Sequence, residues 1–182
     1  VLVGSEVENV IGMCKSIHSQ ENITYRIYSP GWNELSVFAP DPETGVMCRC
    51  RFDYLSEDFE AIDLKKTQDA RADAFSRSVY SYFYHVQNAF YADVFLWATG
   101  NDLLSFEFLA VEEKQPHGCK MYKLGEASLD LGRETYRKNL NLYSDCVKND
   151  EWPSYECSET EEIDVPYWVL SQREYNELDE MT

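Results

Sequence analysis

The fold is decided by residues 45–67, which read GVMCRCRFDYLSEDFEAIDLKKT. A strand-like run leads to Asp53, a short acidic connection follows, and a second apolar strand carries Asp63 and Lys65. Side chains alternate across a strand, so Asp63 and Lys65 share one face. A hairpin centred near residue 58 sets Asp53 opposite Asp63. Two carboxylates and one ammonium group would then converge at one position of a sheet.

This group of charges has two interpretations. A salt bridge on a solvated face is common and stabilises little. Two carboxylates that face each other repel unless a cation lies between them. The hairpin therefore favours a divalent-metal site at Asp53 and Asp63.

The wider segment resembles a known nuclease family. An Arg-x-Arg-x-Asp strand ends at Asp53, residues 62–65 read Ile-Asp-Leu-Lys, and a later helix carries Gln87-x-x-x-Tyr91. In this order the motifs are similar to the core of the PD-(D/E)XK superfamily, and more closely to its RecE (exodeoxyribonuclease VIII) type from phages and prophages. The resemblance covers residues 10–170.

The resemblance departs from the family pattern at two points. The family usually has a Gly-x-x-x-His element well before the first motif acid, and His18 lies too close to Asp53 to belong to one. Lys66 separates Lys65 from Thr67, at a position where the family often has threonine.

The resemblance implies a Mg²⁺ site, in which Mn²⁺ can substitute. Asp53 and Asp63 would bind the metal, with the backbone carbonyl of Leu64 as a further ligand. Oxygen ligands of this kind suit Mg²⁺, which keeps several of its waters. Glu34 would be an outer acid that acts directly or through water, and its alternative is an exposed strand carboxylate, the commonest state of Glu.

Catalytic roles are also implied for residues around the metal. Lys65 would position the attacking water and stabilise charge on the phosphate, beside Asp63. Gln87 would lie near the water or the substrate, with Tyr91 on the same helix face four residues later. The alternative for Tyr91 is core packing, because this helix is rich in aromatic residues.

The formal net charge of −17 excludes a nuclease with a strongly basic surface. Residues 150–182 hold 11 of the 33 acidic residues and one of the 16 basic ones, so this segment alone contributes −10. Contact with DNA must be focused in a local groove. The candidates beside the motif are Arg49, Arg51, Lys66, Thr67 and Tyr91. Arg71 and Arg77 could serve as well, or could be ordinary helix-surface charges.

The six cysteines have no Cys-x-x-Cys spacing. Metal clusters and disulfide scaffolds favour such regular spacings. We interpret the cysteines as reduced thiols of a cytoplasmic protein, several of them buried.

The order of elements predicts an α/β (mixed α+β) fold with a central mixed sheet flanked by helices, like the PD-(D/E)XK restriction-endonuclease core. Ser5 and Glu8 form a capping box before a first helix. The later helices are predicted at 69–98, 126–149 and 171–179, and the strands at 25–29, 33–39, 45–54, 60–65, 103–112 and 119–123.

A chain of 182 residues is expected to form one domain, with a core at 10–150 and an acidic C-terminal segment at 151–182. No apolar run reaches the roughly 18 to 20 residues that a membrane helix needs, so no membrane association is expected.

The predicted function is a metal-dependent exodeoxyribonuclease that degrades linear double-stranded DNA from its ends. The resemblance implies 5′-to-3′ resection in phage or prophage recombination, a ring-shaped homo-oligomer, a single-strand annealing partner, and a bacterial or phage-infected cytoplasm. Two alternatives remain: a nuclease-fold module that binds DNA or protein without cutting, and a structure-specific endonuclease on the same core.

Overall fold

The computed structural model describes residues 4–155, 160–167 and 170. The chain divides into two compact units, Val1–Asn149 and Asp150–Thr182. The helices of the first unit are α1 (Gly4–His18), α2 (Glu21–Ile27), α3 (Ala72–Ser81), α4 (Tyr84–Thr99) and α5 (Glu126–Asn149). Its strands are β1 (Gly31–Pro40), β2 (Met47–Ser56), β3 (Glu60–Thr67), β4 (Ser105–Glu112) and β5 (Cys119–Lys123).

The five strands form one mixed sheet in the order β1-β2-β3-β4-β5. Only β3 and β4 are parallel, and the other neighbours are antiparallel. A parallel pair needs a crossover connection, which α3 and α4 provide. The predicted mixed sheet flanked by helices is confirmed.

Each face of the sheet has its own apolar core. On one face, α3 and α4 cover a cluster built around five phenylalanines: Phe52, Phe75, Phe95, Phe106 and Phe108. On the other face, Ile17 of α1 and Ile23 of α2 meet a smaller cluster of strand residues. Burial of one such side chain contributes about 1.5–3 kcal/mol, so both faces hold the sheet between its helices.

The strand predicted at 25–29 is wrong, because α2 occupies Glu21–Ile27. The β-branched and aromatic residues of this segment favour a strand by propensity alone. Tertiary packing overrides that preference. Ile23 and Ile27 lie one helical turn apart, and both pack into the smaller core because residues i and i+4 of a helix share one face.

The single helix predicted at 69–98 is instead two helices. Phe83 has a left-handed backbone with φ of 57° and ends the run between α3 and α4. The last turn of α3 is closed by bonds from the Tyr82 and Phe83 amides to the carbonyls of Ser78 and Tyr80. Since Phe83 has a Cβ, this conformation is unusual, and no glycine or proline marks it in the sequence.

The predicted capping box is also not present. Helix α1 already includes Gly4, so Ser5 lies inside the helix rather than at its cap. The predicted helix at 171–179 lies outside the described residues.

The turn between β1 and β2 is fixed to α5 by a buried ion pair. Arg137 donates to Asp41 Oδ2 over 2.9 Å, and Thr44 adds a backbone bond of 2.9 Å and a hydroxyl bond of 2.5 Å. Burial opposes ionisation of Asp41, but these three donors outweigh it and lower the pKa of that carboxyl. The hairpin that leads to Asp53 is therefore anchored at its far end.

The second unit has no strand among its described residues. Among the helices that the structure describes in the whole chain, none has the length and apolar character of a membrane span.

Candidate active site

The candidate site lies where β2 and β3 separate. Tyr54 pairs with Ile62 and Leu55 with Ala61, so the register sets Asp53 opposite Asp63, as the hairpin predicted. The β2–β3 ladder is limited to those two pairs, whereas β2 stays paired with β1 down to Met47.

Asp53 fills the opening between the two strands. Its Oδ2 accepts a hydrogen bond of 2.8 Å from the backbone N–H of Leu64. A strand amide would ordinarily bond to a carbonyl of the neighbouring strand. Here a carboxylate takes that role, which brings Asp53 beside the backbone of the Asp63–Lys65 segment. This placement depends on the β2–β3 ladder ending at the Tyr54–Ile62 pair.

Asp63, Lys65 and Gln87 form a closed polar group. Lys65 Nζ lies 2.6 Å from Asp63 Oδ2 and donates to Gln87 Oε1 over 2.8 Å. Gln87 Nε2 donates to Asp63 Oδ1 over 2.5 Å. Asp63 is 3% exposed. The structure thus brings together Asp63, a predicted metal ligand, and Lys65 and Gln87, for which catalytic roles were predicted.

The Asp63 carboxyl lies in an environment that opposes its charge. Burial raises its pKa, the Lys65 ammonium opposes that rise, and the nearby Asp53 charge adds to it; the net pKa is raised. Asp63 Oδ2 is buried and has no partner in hydrogen-bond geometry among the described residues, although the ammonium lies close. A bound cation would stabilise the ionised form of Asp63 and would give its Oδ2 atom a partner.

Two aromatic rings hold the Lys65 ammonium. Its Nζ lies 4.5 Å from the centre of the Tyr84 ring and 5.7 Å from that of Phe108. Contacts of this length are attractive for a cation over a ring face. Sequence reasoning missed both residues. Tyr84 lies three positions before Gln87 and so on the same helix face, and Phe108 is the β4 partner of Asp63.

Glu34 does not join the two aspartates. It forms an ion pair of 3.0 Å with Arg51, and its side chain is 60% exposed. It shares a cleft of about 380 Å³ with Asp53 and Leu64. Within the described residues there is no group of three His, Cys, Asp or Glu side chains that could hold a metal. The structure brings two aspartates together, and Glu34 lines the same cleft as Asp53.

Few residues could bind a divalent ion here, but all of them offer oxygen ligands. Asp53 and Asp63 supply carboxylate oxygens, one of them buried without a hydrogen bond, and Leu64 has a backbone carbonyl between Asp63 and Lys65. Mg²⁺ keeps several waters and binds through one or two carboxylates in many enzymes. The donor set fits a hydrated Mg²⁺ or Mn²⁺ better than a metal that needs nitrogen or sulfur ligands.

Four of the predicted DNA-contacting residues, Arg49, Arg51, Lys66 and Thr67, have partners within the protein. Arg51 pairs with Glu34, and Lys66 pairs with Glu113 at 2.9 Å. Arg49 lies over the Phe38 ring at 5.5 Å. Thr67 donates from its hydroxyl to the Asp69 carbonyl over 3.1 Å. A phosphate that contacts Arg51 or Lys66 would compete with these ion pairs.

Tyr91 lies in the aromatic core rather than at the surface. Its ring packs edge-on against Phe52 at 5.5 Å and Phe106 at 6.1 Å. Burial raises the pKa of its hydroxyl, and the Arg51 backbone and the Gln87 side chain oppose that rise. Tyr91 therefore packs against the aromatic core, which corresponds to the core-packing alternative.

The chain is similar to one known protein family and to a solved structure. The family described as "PDDEXK-like domain of unknown function (DUF3799)" matches residues 3–166. A solved structure from Eubacterium rectale, described as a "putative exonuclease", has 15% sequence identity and a TM-score of 0.66. The alignment covers 90% of this chain and 65% of that protein.

A second solved structure is much less similar to this chain. The structure of SSO0001 has 13% identity and a TM-score of 0.37 over 70% of this chain and 56% of its own, which is too low to indicate a shared fold. A search of curated proteins gives no significant sequence match. The predicted PD-(D/E)XK-like core is confirmed by the family match and by the fold of the Eubacterium rectale protein.

Proposed function

Since the chain belongs to the PDDEXK-like family DUF3799, we propose that it is a divalent-metal-dependent nuclease, and more narrowly an exodeoxyribonuclease of the RecE type. The observation that carries the proposal is the placement of Asp53 and Asp63 at the split between β2 and β3, beside the Lys65–Gln87 pair. A carboxylate pair and a fixed ammonium are what phosphodiester hydrolysis requires.

Each residue has a distinct part in this proposal. Asp53, Asp63 and the Leu64 carbonyl would hold Mg²⁺ or Mn²⁺, with Glu34 acting through water across the cleft. A bound Mg²⁺ would supply a water of lowered pKa and a Lewis acid for the phosphoryl oxygen.

Lys65 would stabilise the charge that develops on the phosphate. Its ammonium is held by Gln87 Oε1 and by the Tyr84 ring, so little reorganisation is needed when the substrate binds. Gln87 fixes both Lys65 and Asp63, which makes it a positioning residue for the other two.

The substrate is proposed to be the end of linear duplex DNA, degraded 5′ to 3′. The description of the Eubacterium rectale protein as a "putative exonuclease" supports this choice over an endonuclease, although this chain spans only 65% of that protein. The resemblance to the RecE type further suggests a ring-shaped homo-oligomer, a single-strand annealing partner and a role in phage or prophage recombination in the bacterial cytoplasm.

The test is nucleotide release from an end-labelled linear duplex with Mg²⁺ or Mn²⁺. A closed circle of the same sequence is the substrate control. Asp63→Asn should abolish release, and Asp58→Asn, at an exposed turn position, should not. Cleavage of the circle would favour the structure-specific endonuclease. Full activity of Asp63→Asn would overturn the site assignment.

A second candidate is a module of this fold that binds without cutting. It is favoured by the aspartate pair standing without a third carboxylate among the described residues. A ligand that binds only the folded protein raises its melting temperature. A Mg²⁺ or Mn²⁺ shift that vanishes in Asp53→Ala favours the enzyme, and no shift in the wild type favours the binding module.

A further inference from the structure

The junction between α3 and α4 exposes three large aromatic side chains. Tyr80 is 71% exposed, Tyr82 68% and Phe83 59%. We refer to Tyr80, Tyr82 and Phe83 as the aromatic corner. Single exposed apolar residues are ordinary, but three large aromatic side chains exposed at one helix junction indicate a candidate binding surface.

The aromatic corner is continuous with the candidate active site. The Tyr82 ring stacks on the Tyr84 ring, with centres 5.7 Å apart and planes 27° apart. Tyr84 in turn lies under the Lys65 ammonium at 4.5 Å. A flat group lying on Tyr82 would therefore be two ring layers from the ammonium proposed to contact phosphate.

The backbone and the neighbouring rings hold the aromatic corner in place. The buried His85 ring stacks on Tyr80 at 6.2 Å and on Phe83 at 6.1 Å. Its Nδ1 is 3.2 Å from the carbonyl of Val79 at the end of α3. A surface that is already ordered loses little entropy when it binds.

Beside Tyr82 and Tyr84 lies a cleft of about 560 Å³, whose wall includes Lys66 and Arg77. This volume is within the usual range of about 300–1,000 Å³ for small-molecule sites. Its two cations are already paired, Lys66 with Glu113 at 2.9 Å and Arg77 with Asp73 at 3.7 Å. The cleft therefore suits a neutral, flat group better than a phosphate.

We propose that the aromatic corner stacks one unpaired base of the DNA strand, with Tyr82 as the ring that contacts it. Every base has a π-face, so aromatic stacking binds single strands with little regard to sequence. The identity of the strand rests on the proposed nuclease function, but the binding does not require cleavage. The site would make ends with unpaired nucleotides better ligands than blunt ends.

The test measures binding without hydrolysis. Single-stranded oligonucleotides with 2-aminopurine at either terminal base are titrated with the protein in EDTA, and both fluorescence and anisotropy are followed. A blunt duplex of the same sequence is the comparison ligand. The variants are Tyr82→Ala and Tyr82→Phe, with Tyr25→Ala as the control, since Tyr25 is 78% exposed on α2, which packs on the opposite face of the sheet.

We expect the wild type to bind the single strand more tightly than the blunt duplex and to change the 2-aminopurine fluorescence. Tyr82→Ala should weaken binding about five- to 150-fold and remove the fluorescence change. Tyr82→Phe keeps the ring and should stay within about twofold of the wild type, as should Tyr25→Ala. Unchanged melting temperatures would show that the variants are folded.

Wild-type affinity in Tyr82→Ala, or no binding of the single strand by the wild type, would overturn the inference. The nuclease proposal is tested separately by adding Mg²⁺. Cleavage by a protein whose single-strand affinity does not depend on Tyr82 would overturn only the stacking site. Binding that depends on Tyr82 in a protein that never cleaves would overturn only the nuclease.

Discussion

Gln87→Leu is the substitution that most sharply probes the polar group at the site. It removes the acceptor of the Lys65 ammonium at 2.8 Å and the donor to Asp63 Oδ1 at 2.5 Å. Leucine has a similar volume and favours helices, so α4 itself should persist. The two charged neighbours stay buried and each loses a hydrogen bond.

The expected loss of stability follows from those two bonds. A hydrogen bond to a charged group contributes about 1.5–3 kcal/mol, so the two together would contribute about 3–6 kcal/mol. The Lys65–Asp63 contact of 2.6 Å remains and offsets part of the loss. We expect Gln87→Leu to lower the free energy of unfolding by about 3 kcal/mol, or the melting temperature by about 6–12 °C.

The assay is urea unfolding followed by circular dichroism, with Gln68→Leu as the matched control. Gln68 is exposed, so the same replacement there should change the free energy of unfolding by less than about 0.5 kcal/mol. Cleavage by Gln87→Leu should fall as well, because both residues that it positions lose their orientation.

A triple variant distinguishes the loss of hydrogen bonds to buried charges from poor packing of the new leucine side chain. Adding Asp63→Leu and Lys65→Met to Gln87→Leu removes both charges, and apolar replacements of buried ion pairs are often neutral or stabilising. The triple variant should recover most of the lost stability while having no activity. A loss below about 0.5 kcal/mol in Gln87→Leu, within the range of ordinary surface changes, would refute this reasoning.

Three further predictions concern the rest of the first unit. Asp41→Asn should lower the free energy of unfolding at pH 7 by about 2 kcal/mol. Because the folded pKa of Asp41 is lowered, its contribution is present above its unfolded pKa of about 3.9 and is lost as pH falls below it. In urea unfolding, the difference in the free energy of unfolding between the wild type and Asp41→Asn should be smaller at pH 3 than at pH 7. An equal difference at both pH values would contradict this prediction. Burial raises the pKa of the Cys50 thiol to about 12, so in native protein at pH 8 iodoacetamide should modify the exposed Cys14 first; equal rates by mass spectrometry would argue against it. Glu34→Gln should lower cleavage far less than Asp63→Asn, since Glu34 pairs with Arg51, and equal losses would show that Glu34 is a direct ligand.

The hairpin at the site was predictable because it depends on local rules. The two-residue period of a strand places Asp63 and Lys65 together, and the centre of the turn sets the register with Asp53. The early end of the β2–β3 ladder was not predictable. Residue alternation sets the register of a hairpin but not the residue at which its two strands separate.

Sequence-based prediction fails where contacts with distant residues determine the local structure. The segment at α2 has strand-forming residues, and only the sheet surface under Ile23 makes it a helix. Phe83 breaks the long helix without any glycine or proline. The ion pair between Glu34 and Arg51 could not be predicted from the sequence either, and the role of Glu34 as an outer acid stays a prediction.

The central claim is that Asp53 and Asp63 belong to one catalytic site. It is tested most directly by the initial rates of Mg²⁺-dependent cleavage of a linear duplex by Asp53→Asn, Asp63→Asn and the double variant. Residues that act as a unit are strongly non-additive, so each single variant should lose most of the activity and the double variant should lose no more than either. Losses that multiply, or a single variant that keeps the wild-type rate, would contradict the claim.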